Sequence, residues 1–264
     1  MGLLVRKPLQ HAYTPIVIPG ESSAQLIEFG LLTLNKGEDY CFNTAGKEWV
    51  GVILGGQCDI LGDEFGWKHA GEREDVFRGK ATAFYLPPSH ECKITARTDL
   101  SVALAAAATD IRSEPVFIEP DNVRARMVGR ENFRRQVYDV FDNTHLARRL
   151  IVGETFNPPG NWSSYPPHRH EKDNPPEESR LEEVYFFKFF PEQGFGYQQV
   201  YTDDGQINEL HCVRDGDTVI IPRGYHPVVG APGYQLYYLW ILAGETRRLQ
   251  PRDDPDHQWI NSNG

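Results

Sequence analysis

Two histidines one residue apart, His168 and His170, stand near the start of PPHRHEKDNPPEESRLEEVYFF, residues 166–187. Side chains alternate along an extended strand, so both imidazoles point to one face and can share one ion. Glu183 leads a later strand in which Tyr185, Phe187 and Phe189 keep its phase, whereas its neighbour Glu182 points to the opposite face. A carboxylate heading an aromatic row inside a β structure takes up a proton or needs a cation, because burying it unpaired costs roughly several kcal/mol. His226 closes GDTVIIPRGYH, in which Gly216 opens a strand, Pro222 ends it and Gly224 makes a turn that aims the imidazole inward. Three neutral imidazoles and one carboxylate suit a single divalent transition metal, Zn, Mn, Fe, Co or Ni, with geometry selecting among them. The plain alternative is a charged, proline-bearing surface loop that carries the two histidines in solvent.

The elements that must position these residues are short and strand-like. QLIEFGLLTL, WVGVILGG, ATAFYLPP, CKITA and LSVALAAAA recur between turn signals in the first half, and RQVYDVF, RRLIVGETF, VYFFKFF, DTVIIP and YQLYYLWILAG in the second. Such spacing predicts an all-β sandwich or barrel. The charged stretch at residues 120–136 separates the halves, which places the boundary between units 1–119 and 120–264. Each half pairs a glutamate-led strand with a Gly-strand-Pro-His unit: Glu48, Gly79, Pro87 and His90 in the first match Glu183, Gly216, Pro222 and His226 in the second. No histidine pair precedes Glu48, where Tyr40 and Asn43 stand instead, so the first unit reads as metal-free and structural.

Composition narrows the function classes. A net charge of -10 opposes broad attraction to nucleic acid or to an anionic membrane. No apolar run reaches the length of a membrane span, and the first residues lack a signal-peptide core, which reads as a cytoplasmic protein. Cys41, Cys58, Cys92 and Cys212 show no CxxC spacing and read as reduced thiols.

The HxH pair, the later glutamate and Gly-x5-Pro-x-Gly-x-His resemble the two cupin motifs. That resemblance implies a bicupin, two jelly-roll β-barrels in one chain, with the metal inside the second. The spacing departs from the usual few residues: twelve lie between His170 and Glu183. A detour of that length, stiffened by Pro175 and Pro176, reads as a lid over the site at residues 171–182.

GNWSSYPPHRHEKDNPPEE, LEEVYFFKF, IPRGYHPVVGAPGY and LYYLWILAG together resemble the bacterial 5-deoxy-glucuronate isomerases of myo-inositol catabolism. The resemblance implies an aldose–ketose isomerase that converts 5-deoxy-D-glucuronate to 2-deoxy-5-keto-D-gluconate. Such chemistry asks for a Lewis acid at the carbonyl, a base for the neighbouring proton and a cation for the distant carboxylate. Tyr185, Lys172 and Tyr238 are the candidates for proton transfer, Tyr185 sharing the phase of Glu183; Tyr165, Arg180 and Arg223 are the candidates for holding substrate. Arg169, between the two histidines, is expected to point away from the metal. Rival readings are the 4-deoxy-5-ketouronate isomerases of pectin breakdown, a cupin dioxygenase, and a non-enzymatic sugar-binding protein. Exposed edge strands also imply a homo-oligomer.

Overall fold

A computed structural model describes residues 2–262, almost all of them in strands and turns. Two large antiparallel sheets carry the same strand order. In the first half Val116–Ile118, Thr82–Leu86, Lys47–Gly55, Leu100–Ala108, Glu28–Leu34 and Ala12–Val17 lie side by side in that sequence. In the second the order is Leu4–Val5, Thr218–Ile221, Glu182–Phe190, Gln235–Ala243, Leu150–Asn157, Arg135–Phe141 and Arg124–Val128. Each large sheet is joined by a four-stranded sheet from its own half. The strand Leu4–Val5 is the exception to this division, since it pairs with Thr218–Ile221 of the second half.

Both faces of the central strands of the large sheets are buried, which is why Lys47–Gly55, Leu100–Ala108, Leu150–Asn157, Glu182–Phe190 and Gln235–Ala243 read as nearly continuous apolar runs. Along Glu182–Phe190 the residues Tyr185, Phe187 and Phe189 enter the interior of the second barrel with Tyr238 and Trp240. Val184 and Phe186 point the other way and pack with Val50, Val52 and Phe29 of the first half, so the two large sheets share one core. Trp49, Ile53, Phe84 and Leu104 fill the first barrel.

The alternation also sorts the neighbouring glutamates. Glu182 faces the seam between the sheets and accepts the backbone N–H groups of Gln25, Leu26 and Ile27 at 2.8, 2.7 and 2.5 Å. Glu48 does the same in reverse, accepting those of Arg148, Arg149 and Leu150 at 2.9, 2.8 and 2.8 Å. The expected match of Glu48 with Glu183 is therefore off by one residue: Glu48 corresponds to Glu182, and Trp49 stands where the second barrel has Glu183. The seam also holds a buried ion pair, Arg73 with Glu154 at 2.6 Å, to which the Tyr237 hydroxyl donates at 2.8 Å.

Candidate metal centre and active site

The site lies inside the second barrel. Glu183 occupies the barrel face of its strand, between Ile221 and Leu242 on the neighbouring strands. His168 belongs to a two-residue strand, His168–Arg169, which pairs with Arg252–Asp253 near the C-terminus. His226 follows a turn that demands glycine: Gly224 has φ +94, and a Cβ there would meet the Tyr201 carbonyl oxygen at 2.4 Å. The turn is held by the paired backbones of Tyr201 and Tyr225.

Ligand atoms of His170, Glu183 and His226 converge within 4.8 Å of one another, all three buried. One carboxylate oxygen, Oε2 of Glu183, lies 3.1 Å from His170 Nε2 and 3.2 Å from His226 Nε2. The fourth sequence candidate, partly exposed His168, stands with its ring edge-to-face against His226, centroids 4.9 Å apart.

Each imidazole is held by its other nitrogen. Nδ1 of His168, His170 and His226 faces the carbonyl oxygens of Pro166 at 3.2 Å, Leu181 at 2.7 Å and Gly224 at 3.0 Å. A carbonyl only accepts, so each Nδ1 carries the proton and each Nε2 is left free to ligate. Nε2 of His226 is buried without a hydrogen-bond partner, an atom that a cation would satisfy.

Electrostatics keep two of these rings neutral. Burial, with the neighbouring histidine and Arg135 adding to it, pushes His168 down to about 3. Burial outweighs the attraction of Glu183 at His226 and pushes it down to about 3. At His170 burial pulls the same way, but the hydrogen bond to Glu183 and its charge overcome it and the shift is upward. The Glu183 carboxylate beside His170 Nε2 thus favours positive charge at that nitrogen, which a bound metal would supply.

His168, His170 and Glu183 border a cavity of about 430 Å³, lined also by Tyr165, Tyr185, Tyr238, Ser164 and Arg135. The Tyr185 hydroxyl and Ser164 Oγ are 2.7 Å apart, and the Tyr238 hydroxyl is bonded to Ser163. The tyrosine rings stack with centroids 4.4 Å apart. Burial and the charge of Glu183 hold the Tyr185 phenol well above its ordinary range, so it stays an O–H.

Three sequence candidates fall elsewhere. Lys172 and Arg180 are exposed and line no part of this cavity. Arg223 is spent on Asp204 at 3.0 Å, Gln206 at 2.9 Å and Glu171 at 3.3 Å, outside the cavity. Arg169 does point away from the metal ligands, but it is buried rather than solvated, paired with Glu178 at 3.3 Å and lying over the Tyr225 ring.

The detour at residues 171–182 does not close the cavity either, since none of its residues lines it. It folds on itself through Asn174 and Glu178 and is pinned where the Glu178 carboxylate accepts the N–H groups of Glu171 and Lys172 at 2.7 and 2.9 Å. The cover comes instead from the C-terminal segment, which contributes Leu249, Pro251, Asp253 and Asn261. Sequence reasoning missed this segment because it carries no motif, and missed Arg135 although that residue shares the inward phase of Val137 in RQVYDVF.

The KduI/IolB family model matches residues 3–260. The chain belongs to the KduI/IolB family. It is 39% identical over 268 residues to the 5-deoxy-glucuronate isomerase of Bacillus licheniformis, covering 98% of this chain and 99% of the relative. The enzyme of the same name from Geobacillus thermodenitrificans is 38% identical over 245 residues, 92% of this chain and 89% of that one. An IolB-like protein from Salmonella typhimurium superposes with a TM-score of 0.95 at 31% identity, over 99% of this chain and 100% of that one. The oxalate decarboxylase of Bacillus subtilis superposes at 0.64 over 94% of this chain and 77% of the other, at 11% identity, which shows the bicupin fold alone. No described helix is long and apolar enough to cross a membrane.

Proposed function

We propose that the chain is a metal-dependent aldose–ketose isomerase that converts 5-deoxy-D-glucuronate to 2-deoxy-5-keto-D-gluconate in myo-inositol catabolism. The observation that carries the reading is the convergence of His170 Nε2 and His226 Nε2 on one oxygen of Glu183, beside a cavity lined by Tyr185, Tyr238, Ser164 and Arg135. His168, His170, Glu183 and His226 would hold one divalent cation, of the group Zn, Mn, Fe, Co and Ni. Such a cation, when bound, supplies Lewis acidity to a substrate oxygen. The full-length likeness to relatives named for this reaction supports the substrate.

The chain's own groups do the rest. The Tyr185 hydroxyl, kept as an O–H and hydrogen-bonded to Ser164, can pass a proton at a substrate oxygen and take one back through Ser164 Oγ. Tyr238 with Ser163 makes a second such pair beside it. Tyr165, packed on Phe133 and Trp162, bounds the space open to the sugar. We place this chemistry in the unit 120–264 of a cytoplasmic homo-oligomer, with the unit 1–119 as its structural partner.

The test is to strip metal with a chelator, add single metals back and follow 5-deoxy-glucuronate by NMR, alongside His168→Ala. Ketose formation that needs both the metal and His168 is the expected result. Metal binding without conversion of this sugar, but with conversion of the pectin-derived 4-deoxy-5-keto uronate, would replace the substrate; oxygen uptake would replace the reaction.

A further inference from the structure

We propose that Arg135 is the residue that holds the carboxylate of the sugar-acid substrate, an assignment that rests on the isomerase reading above. Three arginines of the described chain are buried: Arg73, Arg135 and Arg169 at 3%, 8% and 4% exposure. Arg73 is matched by Glu154 at 2.6 Å and Arg169 by Glu178 at 3.3 Å. Among the described residues no carboxylate oxygen comes within 4.0 Å of Arg135. A buried guanidinium remains charged and, left unpaired, is costly. Its pairing anion therefore comes from outside the chain.

The surroundings orient it for that task. Nη1 donates to the carbonyl oxygens of Phe133 at 3.1 Å and Tyr165 at 3.0 Å, which fix the plane of the group without neutralising it. Nε and Nη2 have no protein partner and neither is fully enclosed, and the residue lines the cavity. Two adjacent N–H donors in one plane match the two oxygens of a carboxylate. Gly129, at φ +73, lets the preceding turn close over the head group: a Cβ there would meet the Phe133 oxygen at 2.3 Å and Arg135 Nη1 at 3.0 Å. The other arginine lining the cavity, Arg126, is already committed to Asp139 at 3.1 Å.

Arg135→Gln and Arg135→Lys, loaded with metal, would be compared with the wild type on 5-deoxy-glucuronate and on the same aldose bearing CH₂OH in place of the carboxylate. The glutamine variant is expected to lose about 10- to 100-fold in kcat/KM on the acid, mostly through KM, the range of a charge-assisted hydrogen bond. The lysine variant recovers part of that loss. On the carboxylate-free sugar, all three proteins are expected to agree. Equal losses on both sugars, or no loss on the acid, would overturn the assignment; melting temperature and metal content identify a folding defect. Wild type that converts neither sugar would sink the isomerase reading instead. In that event, or should Arg135→Gln fail to fold, calorimetry with glucuronate decides: binding that Arg135→Lys retains as fully as wild type goes against Arg135, and binding weakened by the substitution keeps it.

Discussion

Glu182 and Glu183 are neighbours in one strand, yet one carboxylate is clasped by three backbone N–H groups of the first half and the other by two imidazoles of its own barrel. The strand's period of two makes this division, since adjacent side chains leave opposite faces of the sheet. Two similar substitutions should therefore fail differently. Glu182→Gln removes the charge that three N–H groups share and sets an amide NH2 against at least one of them, and should cost about 3 kcal/mol or more, roughly 5–10 °C in melting temperature, with metal content unchanged. Glu183→Gln should lose the metal while the metal-free protein melts within a few degrees of metal-free wild type. Calorimetry and metal analysis on both variants check this, and metal loss in Glu182→Gln with an unchanged melt would contradict it.

Arg169 sits between the candidate ligands His168 and His170 but acts on the other side of the strand. It joins Glu178, whose carboxylate gathers the N–H groups of Glu171 and Lys172, and so ties the returning detour to the ligand strand. At the far end Leu181 donates its N–H to the His170 carbonyl at 3.0 Å and accepts from His170 Nδ1 at 2.7 Å. Arg169→Met leaves Glu178 buried without its cation and loosens the orientation of His170. Metal affinity measured by chelator competition should fall about 10- to 100-fold, as for other residues supporting a ligand from behind. Unaltered affinity in a protein that merely melts earlier would confine the network to stability.

Far from the site, Asp59 in the first barrel provides a clean acid titration. Two hydrogen bonds from Arg97, at 2.6 and 2.5 Å, and one from the His69 N–H at 2.9 Å push its carboxyl down to about 2 from 3.8. The folded state thus holds the proton less tightly than the unfolded one, so the stabilisation is full above about pH 4 and fades as pH falls toward 2. Arg97→Gln should lower the melting temperature at pH 7, and the gap from wild type should shrink between pH 4 and pH 2. A gap that widens in that window would reverse the sign and reject the pairing as its cause.

Local pattern made half of the site legible. The alternation in EVYFFKFF placed Glu183 and Tyr185 on the barrel face, and the Gly-strand-Pro-Gly-His unit placed His226 at the turn that delivers it. What stayed hidden joins residues distant in sequence: the Glu182 clasp reaches back to Gln25, and the strand Arg252–Asp253 pairs with His168–Arg169. Internal symmetry was visible, but its register was not, because Glu48 and Glu182 share a role that only the opposing sheet defines. Charge alone misled for Arg180 and Arg223; the phase of Arg135 with Val137 was the available signal for the arginine that does line the cavity.

The cover of the site is the last element to test, because the detour and the C-terminal segment make opposite demands. Asp253 lies across from His168 in the short ladder, the Asp254 N–H donates to the Pro167 carbonyl at 2.8 Å, and the Tyr201 hydroxyl donates to Asp254 at 2.6 Å. These bonds fasten the segment to the strand that carries His168, and Asn261 folds back on Asp253 at 2.6 Å. Truncation after Gln250 should therefore open the cavity, weaken the seat of His168 and lower kcat by about 10-fold or more, as expected when catalytic geometry slackens. Replacing residues 173–177 by two glycines keeps the Glu178 carboxylate with its partners Glu171, Lys172 and Arg169 and should leave both KM and kcat within about twofold, since ordinary surface loops tolerate such changes. Steady-state kinetics on both proteins, with metal content and melting curves alongside, decide between the two covers; a loss of turnover in the trimmed detour with normal kinetics in the truncated chain would return the lid to residues 171–182.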